Sequence, residues 1–309
     1  MIRILEKGIL MDIMDKSLTV FTPTYNRAYI LPQCYYALCQ QTSKDFVWMI
    51  VDDGSTDETK QLIENWINEN IINIQYIYQD NKGKQRAFNT ALLNCQTRYL
   101  ADLDSDDYYK KDTIEKFLYY LSKIKDNEKV AGVVARRGTP DGKIIGNPYL
   151  PKKIFVSNID TIIRKYNFYG DTSRAYKTEI LKQHMFPEIE DKFIPEDVMW
   201  SSIDRKYNVL IVNEVFTICE YLEDGYTKNI LKIYKQNPIG YSLGLNQLSL
   251  AKRGLIQNTK NIIIYTTWCW HFNIKNPLKN CKNKIRYILA LPLSLCCYIL
   301  KVPKWIYEN

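Results

Sequence analysis

The sequence has 309 residues, of which 46% are apolar and 25% are charged. That composition provides enough apolar material for a buried core and excludes the polar-rich class of disordered chains. We therefore expect a globular protein with one large domain and an extension.

Charge is distributed unevenly along the sequence. Residues 228–309 hold 13 Lys or Arg and one acid, Glu308, so this segment carries a net charge of +12. The remaining residues hold 29 basic and 33 acidic side chains, a net charge of −4. A weakly acidic body with a strongly basic tail predicts a negatively charged surface as a partner.

The cysteines and histidines argue against a zinc site. The eight cysteines include no C-x-x-C pair, and His184 and His271 lie far apart in sequence. We therefore expect neither a zinc site nor a disulfide framework, and we expect a reducing compartment. Residues 1–16 mix charged side chains with short apolar runs, unlike a secretory signal, which predicts a cytoplasmic protein.

Strand and helix patterns alternate over the first hundred residues. Apolar, β-prone runs predict four strands, and helical patterns follow the first three: strands at 18–21, 46–51, 74–78 and 99–103, helices at 28–41, 56–68 and 84–95. Such alternation predicts an α/β fold with a largely parallel sheet and ligands at the carboxyl ends of its strands. The pattern is less regular from 130 to 226 and becomes helical after about 228.

Three carboxylates crowd into four positions after the fourth predicted strand, at Asp104, Asp106 and Asp107. Like charges this close repel unless a cation or hydrogen bonds neutralise them, so the cluster predicts a divalent-metal site. In an extended segment, residues i and i+2 point the same way, so Asp104 and Asp106 can face one ion. The alternative is a cap on the helix expected at 110–125, a role that Asp107 alone could fill.

Polar residues also follow the first two predicted strands, at 22–27 and 52–55. The carboxyl ends of parallel strands converge on one crevice, so we expect these residues to lie near the acidic cluster. An Asp-Gly-Ser run after a strand is also an ordinary turn, which is the alternative for residues 52–55.

Three motifs, in this order and spacing, resemble glycosyltransferase family 2: TPTYNR at 22–27, VDDGSTD at 51–57 and DSDD at 104–107. The resemblance covers roughly residues 17–221 and implies the GT-A fold, a Rossmann-like, mixed and mainly parallel sheet flanked by helices. The expected organisation is a lead-in at 1–16, a catalytic domain at 17–227 and a helical C-terminal extension at 228–309.

The resemblance also implies a nucleotide-sugar donor and a divalent metal, Mg²⁺ or Mn²⁺. It makes Asp106 a metal ligand and places Asp104 on the metal or on the ribose. Asp53 is implied to accept the imide N–H of uracil, a proton that cytosine lacks, which favours a uridine donor. Pro23 and Tyr25 are implied to line the base pocket, where the tyrosine ring can stack on uracil.

Cations are expected beside the donor diphosphate. The segment NKGKQRAFN at 81–89 resembles the next family signature and places Lys82, Lys84 and Arg86 at a helix N-terminus. Backbone N–H groups and positive charge there suit a diphosphate, and we choose Lys84 as the contact. Arg27 is a further nucleotide-binding candidate. Surface solvation is the alternative for each of these cations.

A second acidic site lies at Glu196 and Asp197, before a helix-like run. It matches the family's Glu-Asp motif, which gives Asp197 the role of general base and makes Glu196 an orienting residue. An inverting transfer needs a base, because the acceptor hydroxyl loses its proton as it attacks. Acids in a first helical turn are also common for dipole reasons alone. Asp171 and Trp200 are the expected acceptor contacts, with a core position as the alternative for Trp200.

The basic tail contains an apolar stretch, residues 285–300, in which Arg286 is the single charge. The stretch is shorter than the ~20 residues needed to span a bilayer, and it includes Pro292. It predicts an interfacial helix and a peripheral contact with the inner face of the membrane. The alternative is a helical hairpin packed on the catalytic domain or on a second copy, which leaves homo-oligomerisation open. Nucleic acid is not expected as a partner, because no recognised motif accompanies the charge.

These features predict a metal-dependent, inverting glycosyltransferase of the hexosyl or N-acetylhexosaminyl type. It would move a sugar from a UDP-sugar to a glycan or lipid-linked acceptor in surface or capsular polysaccharide synthesis. A sugar-nucleotide pyrophosphorylase would need a Gly-rich basic signature after the first strand, which residues 25–27 do not supply. A non-catalytic scaffold of the same fold is the rival from another class, and a phosphoacceptor receiver module would be far shorter.

Overall fold

The computed structural model describes residues 16–147, 149–150, 153–219 and 226–307. These residues form two compact units. The first unit runs to Met185 and resumes for the segment that begins at Tyr207. The second unit takes Phe186–Lys206, which the sequence analysis places in the catalytic domain, together with the C-terminal helices.

The described part of the first unit contains nine strands: β1 (Leu18–Thr24), β2 (Phe46–Asp52), β3 (Ile74–Tyr78), β4 (Tyr99–Asp102), β5 (Asp107–Tyr109), β6 (Val130–Gly138), β7 (Ile154–Ser157), β8 (Thr172–Lys177) and β9 (Asn208–Cys219). They form one sheet in the order β3-β2-β1-β4-β8-β6-β9-β5, with β7 paired to β9. The first four strands are parallel to one another, whereas β8 is antiparallel to both β4 and β6. The predicted mixed α/β sheet is confirmed.

The helices of the first unit are α1 (Pro32–Cys39), α2 (Thr59–Glu69), α3 (Lys84–Asn94), α4 (Thr113–Ile124), α5 (Ile159–Tyr166) and α6 (Thr178–Lys182). The first two begin three or four residues later than predicted, because the preceding residues bind one another instead. Asn26 Oδ1 accepts from Thr56 N (2.8 Å), and Ala28 N donates to Asp57 Oδ2 (3.1 Å).

Stacked aromatic rings fill the core beneath β2, a strand that is buried along its whole length. The ring centroids of Tyr35 and Trp66 lie 4.4 Å apart, and Trp48 stacks on Trp66 at 5.8 Å. The fully buried indole of Trp48 also donates from Nε1 to Thr22 Oγ1 (2.9 Å). A large apolar ring with its polar atom satisfied is a stabilising core element.

The second unit is helical: α7 (Asp197–Asp204), α8 (Tyr226–Gln236), α9 (Pro238–Leu248), α10 (Leu255–His271), α11 (Pro277–Asn280), α12 (Lys284–Ile299) and α13 (Lys304–Tyr307). Its core includes Trp268 and Tyr265 of α10 and Tyr287 of α12. Trp268 Nε1 donates to Pro238 O (2.9 Å), which ties α10 to the start of α9. None of the described helices combines the length and the apolar character needed to cross a bilayer.

We expect Trp48→Ala to lower the free energy of unfolding by ~3–5 kcal/mol, because it removes a buried ring and leaves a cavity. Urea titration followed by circular dichroism measures this loss. Leu93→Ala, which shortens an exposed side chain, is the matched control and should change stability by less than ~0.5 kcal/mol. Equal effects of the two substitutions would show that the aromatic stack does not stabilise the sheet.

Candidate active site

The carboxyl ends of three neighbouring parallel strands meet at one edge of the sheet. Thr24 at the end of β1 is paired with Asp52 at the end of β2, and Phe21 is paired with Asp102 at the end of β4. The polar residues that follow these strands therefore lie at the same edge. This arrangement confirms the convergence predicted from the strand pattern.

The turn after β2 requires glycine. Gly54 has a φ of +87°, and a Cβ atom there would lie 2.9 Å from Asn81 N. Asp52 closes this turn, because its buried carboxylate accepts from Ser55 N (2.8 Å) and Tyr76 Oη (2.8 Å). The ordinary-turn interpretation is thus correct for Asp52.

Asp53 supports the loop that precedes α3. Its carboxylate accepts hydrogen bonds from Gln79 Nε2 (2.6 Å), Lys82 N (2.9 Å) and Gly83 N (2.7 Å). A carboxylate has about four acceptor positions, so one remains for a ligand N–H. The predicted contact with uracil stays a prediction, and the loop support is a role that the sequence analysis missed.

Residues 102–107, here called the acidic loop, are held through their backbone by α1. Gln33 Nε2 donates to Asp106 O (2.7 Å), and Cys34 Sγ donates to Asp107 O (2.8 Å). Cys34 is fully buried, and burial, with Asp107 next in effect, raises the pKa of its thiol. The neutral thiol can therefore serve as a donor to the loop. Neither residue had a signal in the sequence, since both lie about 70 positions from their partners.

Arg137, at the end of β6, binds three carboxylates of this region. Its guanidinium lies 2.8 Å from Asp107, 3.3 Å from Asp102 and 3.4 Å from Asp104. The side chain is buried, so these pairs act in a medium of low polarity, where breaking one is costly. Part of the neutralising charge that the sequence analysis assigned to a metal therefore comes from an arginine. Its sequence signal was a pair of arginines, Arg136 and Arg137, in an otherwise apolar strand.

Asp107 is not a helix cap. It lies in β5 and pairs with Arg137, and α4 begins six residues later, at Thr113. Burial raises the pKa of Asp107 to about 7, with Asp104 and Asp106 acting in the same direction and Arg137 opposing them. The capping alternative was therefore wrong for this residue.

Lys84 joins the acidic loop from the first turn of α3. Its Nζ lies 2.6 Å from Asp104 Oδ1, while the other oxygen of Asp104 faces Arg137. Of the neighbouring cations, Lys82 is exposed and Arg86 is buried. The solvation alternative therefore fits Lys82 and does not fit Lys84 or Arg86.

Asp106 has an environment that favours an added cation. Burial raises the pKa of its carboxyl, and the charge of Asp104 raises it further, while Arg27 and Lys84 lower it. A raised pKa means that the charged form is disfavoured, and a cation near the carboxylate would restore it. Asp106 thus differs from Asp104, whose two oxygens already contact cations.

The acidic loop suits a metal ion that takes few protein ligands. Within the described ranges, no three His, Cys, Asp or Glu side chains form a ready-made metal cluster. Mg²⁺ commonly binds one or two carboxylates and fills its other positions with water and substrate phosphate oxygens. The roles of Asp106 and Asp104 as metal ligands stay predictions.

The other predicted donor contacts follow β1. Pro23 is half-buried, and Tyr25 is 48% exposed, so its ring has a surface that a base could cover. The guanidinium of Arg27 contacts Tyr29 Oη and also influences Asp106. These residues therefore lie at the end of β1, at the edge of the sheet where the sequence analysis expected the nucleotide.

Asp171 comes to the same edge through β8. It directly precedes Thr172, whose carbonyl accepts from Arg137 Nε (3.1 Å). Asp171 is exposed. Its role toward the acceptor stays a prediction.

Asp197 belongs to the second unit, where it is the first residue of α7. Its side chain is 45% exposed, and Arg253 Nη2 lies 3.8 Å from its Oδ1. The preceding segment is tied to α9, because Gly240 N donates to Asp191 Oδ2 (2.8 Å) and Gly244 faces Pro195. The sequence analysis missed Arg253. The expected pairing of Asp197 with the acidic loop stays a prediction.

Trp200 and Glu196 form a pair on α7. Trp200 Nε1 donates to Glu196 Oε2 (3.1 Å), and the tryptophan is only 8% exposed. Such burial favours the core alternative for Trp200 over a stacking surface for a sugar. Glu196 is held at the helix start next to Asp197, a position consistent with its predicted orienting role.

The family described as Glycosyl transferase family 2 matches residues 19–185. This match covers more than half of the chain and includes β1, β2, the acidic loop and Arg137. The chain belongs to glycosyltransferase family 2. The family predicted from the three motifs is thereby confirmed.

One curated relative is the "Putative teichuronic acid biosynthesis glycosyltransferase TuaG" of Bacillus subtilis (strain 168). It is 35% identical over 134 residues, which cover 42% of this family 2 chain and 52% of that protein. The match thus spans about half the length of the relative.

Two solved structures share the fold. TarS 1-349 of S. aureus, in complex with UDP-GlcNAc, has a TM-score of 0.56 at 17% identity, covering 94% of this chain and 82% of that chain. The mannosyltransferase PcManGT from Pyrobaculum calidifontis, in complex with GDP-Man and Mn²⁺, has a TM-score of 0.54 at 16% identity, covering 90% and 75%. The likeness confirms the predicted GT-A architecture.

We expect Arg137→Met to destabilise this family 2 chain by ~3–5 kcal/mol, because it removes the guanidinium from the buried carboxylate of Asp107 and from the half-buried carboxylates of Asp102 and Asp104. Arg137→Lys should recover only part of this loss, since an ammonium group cannot bridge the carboxylates as a planar guanidinium does. Urea unfolding of the three proteins measures both effects. Arg98→Met, at an exposed arginine, is the matched control. A loss no larger than that of Arg98→Met would contradict the structural role of Arg137.

Proposed function

We propose that this protein is a glycosyltransferase that moves a sugar from a UDP-sugar to a glycan or lipid-linked acceptor in surface polysaccharide synthesis. The observation that carries the proposal is the acidic loop, held at the carboxyl end of β4 with Lys84 and Arg27 beside Asp106. Family membership and the teichuronic acid transferase among its relatives support the same reaction class.

The proposed donor site contains positive groups for the donor diphosphate and carboxylates for a metal ion. Lys84 and the N–H groups at the start of α3 suit the donor diphosphate. Asp106 and Asp104 are the proposed ligands of Mg²⁺ or Mn²⁺, which when bound would neutralise charge on the departing nucleoside diphosphate. Mn²⁺ accompanies the nucleotide-sugar in the mannosyltransferase of the same fold, which supports this assignment.

The uridine preference depends on Asp53 and Tyr25. Asp53 retains about one acceptor position, which suits the single imide N–H of uracil. Tyr25 is exposed enough to stack on the base. The UDP-GlcNAc complex of TarS supports a UDP donor, whereas the mannosyltransferase binds GDP-Man. A panel of donors therefore tests this part of the proposal.

Asp197 is the proposed general base of an inverting transfer. Its half-exposed carboxylate can reach a ligand, and the ion pair with Arg253 holds it at the start of α7. The acceptor hydroxyl must lose a proton as it attacks, and an unprotonated carboxylate can take it. Glu196 would keep this turn in place, and Asp171 would contact acceptor hydroxyls. A lipid-linked acceptor would place the protein, peripherally, at the inner face of the membrane.

We expect UDP-sugars to bind and to be hydrolysed slowly in the presence of Mg²⁺ or Mn²⁺, and EDTA to abolish both effects. Asp106→Asn should weaken metal-dependent UDP binding at least about tenfold, because it removes the negative charge of a proposed metal ligand. Calorimetry with UDP, GDP and CDP, each with and without metal, measures the base preference and the metal effect together. Asp141→Asn, at an exposed turn, is the control.

Equal UDP binding by Asp106→Asn, Asp141→Asn and the unchanged protein would reject the metal assignment. Donor binding with no sugar transfer to any tested acceptor mixture would favour the scaffold alternative. Preference for GDP or CDP over UDP would reject only the predicted role of Asp53.

We expect Asp197→Asn to lower kcat by about 10²–10⁴-fold while UDP binding stays unchanged, since a general base acts on the acceptor and not on the nucleotide. Steady-state transfer kinetics and UDP calorimetry on the same preparation separate the two effects. Glu190→Gln, at an exposed acid of the same unit, should leave both unchanged. If Asp197→Asn turns over at the rate of the unchanged protein, Asp197 is not the base.

A further inference from the structure

Helix α12 has two apolar faces, of which only one is packed. Tyr287, Ala290 and Ser294 are buried against the second unit. The opposite side exposes large apolar side chains with exposed fractions between 54% and 76%, at Ile285, Ile288, Leu289, Leu293 and Ile299. Here this set is called the α12 outer face. Exposed apolar patches of this kind mark a binding surface.

The outer face contains no charge of its own. Arg286 is the single charged residue between 285 and 300, and its Nη1 donates to Ser249 O (3.1 Å) within the unit. The apolar surface continues past the helix end at Leu300 and Val302, which are 71% and 45% exposed. One side of the helix is therefore a continuous apolar strip that is exposed to solvent.

Lysines flank this strip at both ends. Lys279 and Lys284 precede it, Lys301 and Lys304 follow it, and all four are exposed. Between residues 228 and 307 the sequence contains no acid. An apolar strip between basic ends matches the interface of an anionic bilayer, where acyl chains lie below negatively charged headgroups.

We propose that the α12 outer face docks on an anionic membrane surface, with its apolar side chains inserted at the acyl boundary and its flanking lysines on lipid phosphates. The helix would lie in the plane of the membrane. Its 16 residues extend about 24 Å, less than the ~30 Å of a hydrocarbon core. An in-plane helix leaves its packed face on the protein and its outer face in lipid.

A second copy of the chain fits this face less well. A two-fold interface brings the same patch of both subunits together, so the lysines at the two ends would meet lysines of the other copy. No acid of residues 228–307 is available to pair with them. Anionic lipid satisfies the same charges that a second copy would repel.

The proposal uses no residue of the donor site and does not include Asp197, so it can fail while the transferase assignment stands, and the reverse. We expect the full chain to float with vesicles containing about 30% phosphatidylglycerol, and to float much less with neutral phosphatidylcholine vesicles. Raising the salt concentration should release it, since the lysine contribution is screened.

The decisive variant replaces Ile288, Leu289 and Leu293 by Gln, a good helix former, and should lower the vesicle partition coefficient at least about tenfold. Its control replaces the same number of exposed apolar side chains in the first unit, Ile71→Gln, Leu93→Gln and Tyr119→Gln, and should partition like the unchanged chain. Circular dichroism spectra and urea unfolding midpoints, unchanged in both, show that the proteins are folded.

Three results would overturn the proposal. The unchanged chain could fail to float with anionic vesicles, a test that needs no variant. The α12 variant could partition as well as its control. The unchanged chain could form a dimer, measured by light scattering, that the α12 variant converts to a monomer while vesicle binding is unaffected.

Discussion

The ion pairs of Arg137 allow four carboxylates to lie within one short loop. Asp102, Asp104 and Asp107 each have an oxygen within 3.4 Å of its guanidinium, and Lys84 contacts the remaining oxygen of Asp104. Burial and the charge of Asp104 raise the pKa of Asp106, so its charged form is disfavoured although Arg27 and Lys84 act in the opposite direction. The arginine thus supplies part of the positive charge that holds the loop, and Asp106 remains the carboxylate proposed to take a metal with a phosphate ligand.

The position of Arg137 follows from the sheet. β8 lies between β4 and β6, so the end of β6 is one strand removed from the acidic loop, a distance that only a long side chain covers. The pairing of β6 with β9 shifts register on both sides of Arg136. Such irregularities re-aim side chains near active sites. Arg136 accordingly binds Asn147 O and lies over Phe168, while Arg137 turns to the aspartates.

Local patterns in the sequence predicted the first four of the nine described strands well, because a parallel strand inside a sheet is a continuous apolar run that needs no knowledge of its partners. β3, Ile74–Tyr78, has the predicted bounds. The misplaced helix starts and the missed site residues share one cause. Asn26 and Thr56 are 30 positions apart, and Arg137 and Asp107 are also 30 apart, so their contacts exist only once the sheet has formed. Motif resemblance singled out Asp104 and Lys84, which form an ion pair in the structure, but contained nothing that indicated Arg137, Cys34 or Arg253.

The helices of the second unit link the proposed base to the proposed membrane surface. α7, which begins with Asp197, packs on α9; α9 packs on α10; and α10 packs on α12. Gly240 and Gly244 of α9 permit the close approach of the segment that leads into α7, since a Cβ at Gly240 would overlap Phe193 O. A lipid-linked acceptor presents its sugar at a fixed height above the bilayer. If α12 rests on that bilayer, the packed series α12-α10-α9-α7 sets the height of Asp197 above it, so membrane docking would position the base as well as concentrate the acceptor.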